Sequence, residues 1–306
     1  SFLRQLWGRG IADSLGVALV SAMAVQGAET PVDYRYKMEV LAIGMEQPLF
    51  LQLAPDGRIF LNELGGKLKI RKPTGEMIEA GTLPVFSEQE NGFLGFALDP
   101  HFAENHWMYL LYSPTNFVGQ RLSRMRMAGD RLDLASEQEI LRFDEQRREC
   151  CHHAGSVRFA PDGCLLISTG DNTHPFGDSD SYGPMDERPG REPWDAQRSA
   201  GNTASKSGKI LRIRPLAAGG YEVPDGNLFP KDGSGGCPEV YVMGCRNPWR
   251  MNVDERTGIV YWGEVGPDAG GDGPRGSRGY DEINQARRAG NFGWPFFVGK
   301  NFPYAR

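Results

Sequence analysis

Four segments of this chain share one form, and that recurrence constrains the fold more than any other feature. FLQLAPDGRIFLNEL at 50–64, GFALDPHFAENHWMYLLYSP at 95–114, SVRFAPDGCLLISTGD at 156–171 and RMNVDERTGIVYWGEVG at 250–266 are the segments. Each runs from an apolar strand through a turn rich in Pro, Asp or Gly into a second strand of β-branched and aromatic residues. The gaps are uneven, with insertions, and suggest one antiparallel sheet per roughly 40–60 residues. The 40 glycines and 21 prolines suit many short strands joined by tight turns. Helical periodicity is almost absent, and the QARRAG stretch near the end is too short to count. The pattern reads as a β-propeller, with a Greek-key sandwich as the structural rival. The segment from Asn172 to Ser207 interrupts it with Asp, Arg, Pro and Gly and no strand. Long loops of that kind, carried on a rigid scaffold, are where function concentrates.

The third hairpin carries the chemistry. CCHHAGSVRFAPDGCLLISTGD places His152 ahead of its first strand and Asp171 behind its second. In a tight antiparallel pair those two ends lie side by side, so the residues become neighbours. A histidine oriented by a carboxylate is the hardware of a general base, because the carboxylate fixes the tautomer and stabilises the imidazolium. A structural His–Asp hydrogen bond closing the hairpin is the other reading. The 34 Lys and Arg against 39 Asp and Glu give a net charge of −5, which lacks the basic footprint of a nucleic-acid binder. At 306 residues, 40% of them hydrophobic, the chain can bury the core of one large or two ordinary domains.

Arg4 and Arg9 precede an apolar run, Leu15–Val25, and then QGAE. That order outlines a secretory signal peptide over residues 1–28, cleaved near Ala28, with the main domain occupying 33–306 and an exported, periplasmic or extracellular, destination. The run is too short to span a bilayer. Asp13 at the edge of the apolar core and a first residue other than Met leave open a stray helix or the tail of a preceding domain. The five cysteines are an odd number, so at least one is unpaired within the chain. Cys237 and Cys245 flank PEVYVMG and could bridge, whereas bridging the adjacent Cys150 and Cys151 closes a strained eight-membered ring. Buried thiols plus one disulfide are expected, and with no paired CxxC motifs a structural zinc site has little support.

Several motifs, in order, resemble the soluble quinoprotein sugar dehydrogenases, six-bladed propellers that bind pyrroloquinoline quinone (PQQ) with calcium. They are GFLGFALDPHF at 92–102, HHAGSVRFAPDG at 152–163, STGD ending at Asp171, SGKILRI at 207–213, YVMGCRNPWRM at 241–251, EVGPDA at 264–269 and YDEINQARRAGNFGWP at 280–295. The similarity covers most of the chain from about residue 40 to 299. The resemblance implies that His152 is the catalytic base and Asp171 its partner. It implies that Glu90, Arg246 and Asn247 line the cofactor, and that the carbonyls of Gly266 and Pro267 bind calcium. It also implies a sugar or polyol as substrate and an external acceptor, such as a cytochrome or quinone, for the electrons.

The sequence departs from the family at Cys151, where glucose-oxidising members often carry Asp, and in longer loops at 172–206 and 268–279. These changes lie where substrate would enter, so the sugar preference does not carry over. Cys150-Cys151 is similar, by analogy only, to the vicinal disulfide of the larger quinoprotein alcohol dehydrogenases. The family's Lys and Arg that clamp the PQQ carboxylates lie in the last blades. The resemblance therefore implies about four blades here, an open ring, and bare apolar faces on the first and last. Two other classes stay open: a propeller lactonase or metal-dependent hydrolase, marked by carboxylates converging on a metal (Glu90, Asp171 and Glu264 are on offer), and a non-catalytic propeller that binds a protein or glycan.

Overall fold

Burial along the strands shows how the sheets stack. In Leu165–Thr169 all five residues are buried, whereas in Val260–Glu264 buried and exposed residues alternate. A strand buried on both faces reads as a continuous apolar run, and one buried on a single face alternates. The computed structural model describes residues 37–305. The signal-peptide reading falls outside those residues. Residues 37–43 carry no regular structure, and Gly44 onward forms the folded unit.

The first sheet is β1 (Pro48–Leu53), β2 (Ile59–Glu63), β3 (Lys67–Arg71) and β4 (Met77–Thr82), paired in that order. The second is β5 (Phe93–Leu98), β6 (Trp107–Tyr112), β7 (Gly119–Ala128) and β8 (Arg131–Asp144), with one helical turn, Phe102–Asn105, between β5 and β6. The third runs β9 (Val157–Phe159), β10 (Leu165–Thr169), β11 (Lys209–Pro215) and β13 (Val240–Met243). Here β12 (Tyr221–Glu222) pairs antiparallel with the end of β11, and β17 (Gly290–Asn291) joins β13 in parallel. The fourth is β14 (Pro248–Val253), β15 (Val260–Glu264) and β16 (Glu282–Ala286), and a small hairpin of β18 (Phe297–Val298) and β19 (Phe302–Pro303) follows. This is a four-blade propeller arrangement, and all four hairpins read from the sequence are inner and second strands of its blades. The sandwich alternative fails, because the strands form successive separate sheets rather than two facing ones.

Each pair of neighbouring blades shares a core. Phe60, Leu68 and Ile70 meet Phe93, Phe96 and Met108 between the first two blades. Leu165 and Ile167 face Tyr109 and Leu111, while Leu166, between them, faces Met251 and Trp262. Alternation along β10 thus sends successive side chains into two different cores. Each such fully buried large side chain contributes about 1.5–3 kcal/mol. The outer faces of the first and fourth blades hold exposed Leu51 and Leu53 (55% and 64%) and Ile283 (90%).

No strand forms between Asn172 and Ser207, which holds one 3₁₀ turn at Glu192–Trp194. The loop is nevertheless packed, with Met185, Ala196 and Ala200 in one cluster with Trp294, Val298 and Tyr304. Among the described residues no helix is long and apolar enough to cross a membrane.

Candidate active site

The segments leading into the inner strands open at one end of the blades. Glu90 lies just before β5, His152 just before β9, and Arg246 and Asn247 immediately before β14. Asp171 follows β10 and Glu264 ends β15; both strands are antiparallel to their inner partners and so return to the same end. Hairpin geometry alone gathers these residues.

His152 and Asp171 are in contact. His152 Nδ1 lies 2.8 Å from Asp171 Oδ1, and both side chains are buried. Gly170 permits the approach: a Cβ there would sit 1.9 Å from the His152 carbonyl oxygen. Asp171 Oδ1 also accepts from the Thr173 backbone N–H (3.0 Å) and hydroxyl (2.9 Å), and its Oδ2 accepts from the Trp294 indole N–H at 2.7 Å. Burial pushes the Asp171 carboxyl up, but His152, Arg246 and Trp294 outweigh it and hold it below its ordinary value. His152 Nε2 makes no hydrogen bond among the described residues, so its second nitrogen is available. The His152 backbone, at φ +58°, donates its N–H to Glu90 Oε2 at 2.7 Å. One Glu90 oxygen is therefore spent on holding the histidine.

Arg246 and Asn247 join the same network. The Arg246 carbonyl accepts the Asp171 N–H at 2.8 Å, and Asn247 Oδ1 accepts the Ala154 N–H at 2.9 Å. The buried Arg246 guanidinium donates to the Val265 carbonyl (3.1 Å) and to Asp268 (2.9 Å). Beneath the pair, Glu264 Oε1 accepts both backbone N–H groups at 2.8 and 2.6 Å, and Oε2 accepts the Trp262 indole N–H at 2.9 Å. Burial raises the Glu264 carboxyl to about 7. Behind His152, the fully buried His153 pairs with Glu145 at 2.9 Å and meets Asn91 at 3.2 Å.

Gly266 and Pro267 share a narrow cleft with Arg246, Glu264 and Trp294. Both residues are buried, and neither carbonyl accepts a hydrogen bond among the described residues. Buried carbonyls are nearly always paired, so two adjacent unpaired ones fit a hard cation, which takes oxygen ligands. Among the described residues no group of three or more His, Cys, Asp and Glu is placed to hold a metal. The converging carboxylates that would mark the hydrolase alternative are not found there.

One disulfide and free thiols are present, as expected, but the bridge is not between Cys237 and Cys245. Cys150 and Cys151 are bonded, while Cys164, Cys237 and Cys245 are free. Strand β13 runs between Cys237 and Cys245. An extended strand advances about 3.3 Å per residue, which carries them beyond the roughly 7 Å that a bridge can span between Cα atoms. The vicinal disulfide borders His152, and Cys150 Sγ lies 3.6 Å from His174 Nδ1. The two long loops meet: Tyr182 donates to the Gly271 carbonyl at 2.7 Å and Arg275 to that of Gly183 at 2.9 Å.

Residues 45–305 match the family described as Glucose / Sorbosone dehydrogenase. The chain belongs to that family. It is 31% identical over 263 residues to the uncharacterised protein slr1608 of Synechocystis, covering 82% of this chain and 57% of that protein. It is 26% identical over 284 residues to the aldose sugar dehydrogenase YliI of Escherichia coli, covering 90% and 66%. A solved structure described as a PQQ-bound aldose sugar dehydrogenase from Streptomyces coelicolor superposes with a TM-score of 0.64 at 25% identity, covering 86% of this chain and 66% of that one. The chain thus spans less than two thirds of the length of these relatives.

Sequence reasoning had no role for Trp294, Thr173, Glu264 as a backbone clamp, or the His153–Glu145 pair. Trp294 lies within a quoted motif, yet 123 residues separate it from the carboxylate it meets. The paired histidines were visible in HHAG, although no spacing rule says that the second turns inward to Glu145.

Proposed function

We propose that the protein is a quinoprotein oxidoreductase that oxidises a sugar or related alcohol, with His152 as the general base. The observation that carries this is the state of His152. Nδ1 is committed to a buried carboxylate, Nε2 has no partner among the described residues, and a cationic donor and two carbonyls without a hydrogen-bond partner among those residues line an adjacent cleft. Such a histidine can accept a hydroxyl proton at Nε2 while Asp171 stabilises the imidazolium that results. Glu90 fixes the backbone of the base, and Trp294 and Thr173 fix the carboxylate.

When bound, PQQ supplies the two-electron acceptor for the hydride of the substrate carbon. Arg246 and Asn247 would lie against it, and the carbonyls of Gly266 and Pro267 would hold calcium, which would supply a Lewis acid. The Arg246 guanidinium, already anchored by Asp268 and the Val265 carbonyl, would stabilise negative charge without reorganising. Export, which the leader pattern supports, and an external cytochrome or quinone as acceptor complete the proposal.

The test is His152→Gln in the full-length protein loaded with PQQ and calcium. Turnover of an aldose with a dye acceptor should fall about 100-fold or more while PQQ affinity is retained. Turnover near that of the wild type would refute the assignment.

A further inference from the structure

At the end of the blades remote from His152, where the inner strands run into their hairpin turns, a cavity of about 1100 Å³ opens. Phe50, Gln52, Arg158 and Asn252, contributed by the first, third and fourth blades, are among its walls. The Arg158 side chain is half-buried, its guanidinium stacks 3.9 Å from the Phe50 ring centroid, and it makes one hydrogen bond, from Nη1 to the carbonyl of Val157 at 2.9 Å. Its Nε and Nη2 hydrogens have no protein acceptor among the described residues. Those two groups lie along one edge of the guanidinium and form the fork that matches an oxyanion side-on.

Among the described residues Arg158 forms no ion pair, and a second cation lies near it. Arg250, on the inner strand of the fourth blade, donates to the Trp249 carbonyl (2.7 Å) and to the Leu49 carbonyl (3.0 Å), and it too forms no ion pair. Burial lowers both guanidinium pKa values to about 10, and the charge of Arg158 adds to the effect on Arg250. The cavity's carboxylates are turned elsewhere or stand apart. Asp162 pairs with Arg212 at 2.6 Å, Asp99 accepts from His101 and Asn105, and Glu255 makes no ion pair with Arg158. A buried charge is costly unless it is paired, and two like charges compound the cost.

We infer that this axial cavity binds a small oxyanion, of the phosphate or sulfate class, side-on to Nε and Nη2 of Arg158, within the positive field that Arg250 reinforces. The site is distinct from the candidate active site, because it lies at the opposite end of the inner strands.

Calorimetric titration of the full-length protein with inorganic phosphate, and separately sulfate, in a chloride-free buffer tests this. The wild type should show one saturable site, and Arg158→Gln should weaken it tenfold or more with aldose oxidation unchanged. Arg212→Gln, which removes a neighbouring arginine already paired with Asp162, should bind like the wild type. Should Arg158→Gln fold poorly, the wild type still decides the matter. Its melting temperature must rise saturably with sulfate beyond an ionic-strength-matched chloride series. No saturable binding, a non-saturating melting curve, or undiminished binding by Arg158→Gln would overturn the inference.

Discussion

Replacing Asp171 by Asn removes one charge and few atoms, and the structure says what that should do. The carboxylate receives four donors: His152 Nδ1, the Thr173 N–H and hydroxyl on one oxygen, and the Trp294 indole on the other. An amide has one oxygen. Turned toward His152 and Thr173, it aims its NH₂ at the indole N–H, donor against donor, across a contact of 2.7 Å. Turned the other way, the NH₂ faces His152 and forces the tautomer that protonates Nε2, which abolishes the base. The lost attraction to the imidazolium is about 4 kcal/mol, taking unit charges about 4 Å apart at an effective dielectric near 20. At about 1.36 kcal/mol per decade, kcat should fall by about 10³. The unpaired donor costs a further ~1–3 kcal/mol of stability, lowering the melting temperature by several degrees. Asp171 sits below its ordinary pKa in the folded state, so its stabilisation exists above the unfolded value and is lost as pH falls through the folded one. The gap in melting temperature between wild type and variant should therefore close in strong acid. Stopped-flow turnover beside a PQQ titration separates chemistry from cofactor loss. A variant that binds PQQ and turns over within a few-fold of the wild type would refute the reasoning.

Glu264, raised to about 7 by burial, has the opposite sign: its stabilising contribution is complete below the ordinary carboxylate pKa and vanishes as pH rises through 7. Melting temperatures from pH 4 to 8 should decline in the wild type by an amount equivalent to roughly 3 kcal/mol, and Glu264→Gln should flatten that decline; parallel curves would contradict it. Gly170→Ala places a methyl group 1.9 Å from the His152 carbonyl oxygen, so activity should drop at least tenfold as the dyad separates. A crystal structure of that variant with an intact 2.8 Å His152–Asp171 contact would count against this account. Chelator should block PQQ reconstitution and added calcium should restore it, whereas carboxylate substitutions near Gly266 and Pro267 that leave the loop path unchanged should matter little. Reconstitution that proceeds equally in excess chelator would remove calcium from the proposal.

What could be read from the chain beforehand was what short-range rules govern. A turn between two apolar runs fixes an antiparallel hairpin, and a hairpin fixes which ends meet, so four blades and the nearness of His152 to Asp171 followed from local sequence. Trp294 on Asp171 depends on how distant segments pack together, and no periodicity encodes that, whereas Glu264 meets Arg246 and Asn247 through the local β14–β15 hairpin. The cysteines show the same limit. Cys237 and Cys245 are close in sequence, but the strand between them carries them apart, while the adjacent pair is bonded. The same reasoning explains why the site can be built from segments far apart in the chain. Every blade begins with an inner strand, and every second strand returns antiparallel to it, so all approach segments and all second-strand ends open at one end of the sheets. A residue placed one or two positions outside either kind of strand is delivered there without any long-range design. What needs specific residues is the step from proximity to geometry. Glycine at 170 allows contact, Glu90 clamps a backbone N–H of the next blade, Glu264 clamps those of its own hairpin, and Trp294 meets the carboxylate. Losing a clamp should therefore cost activity before it costs the fold.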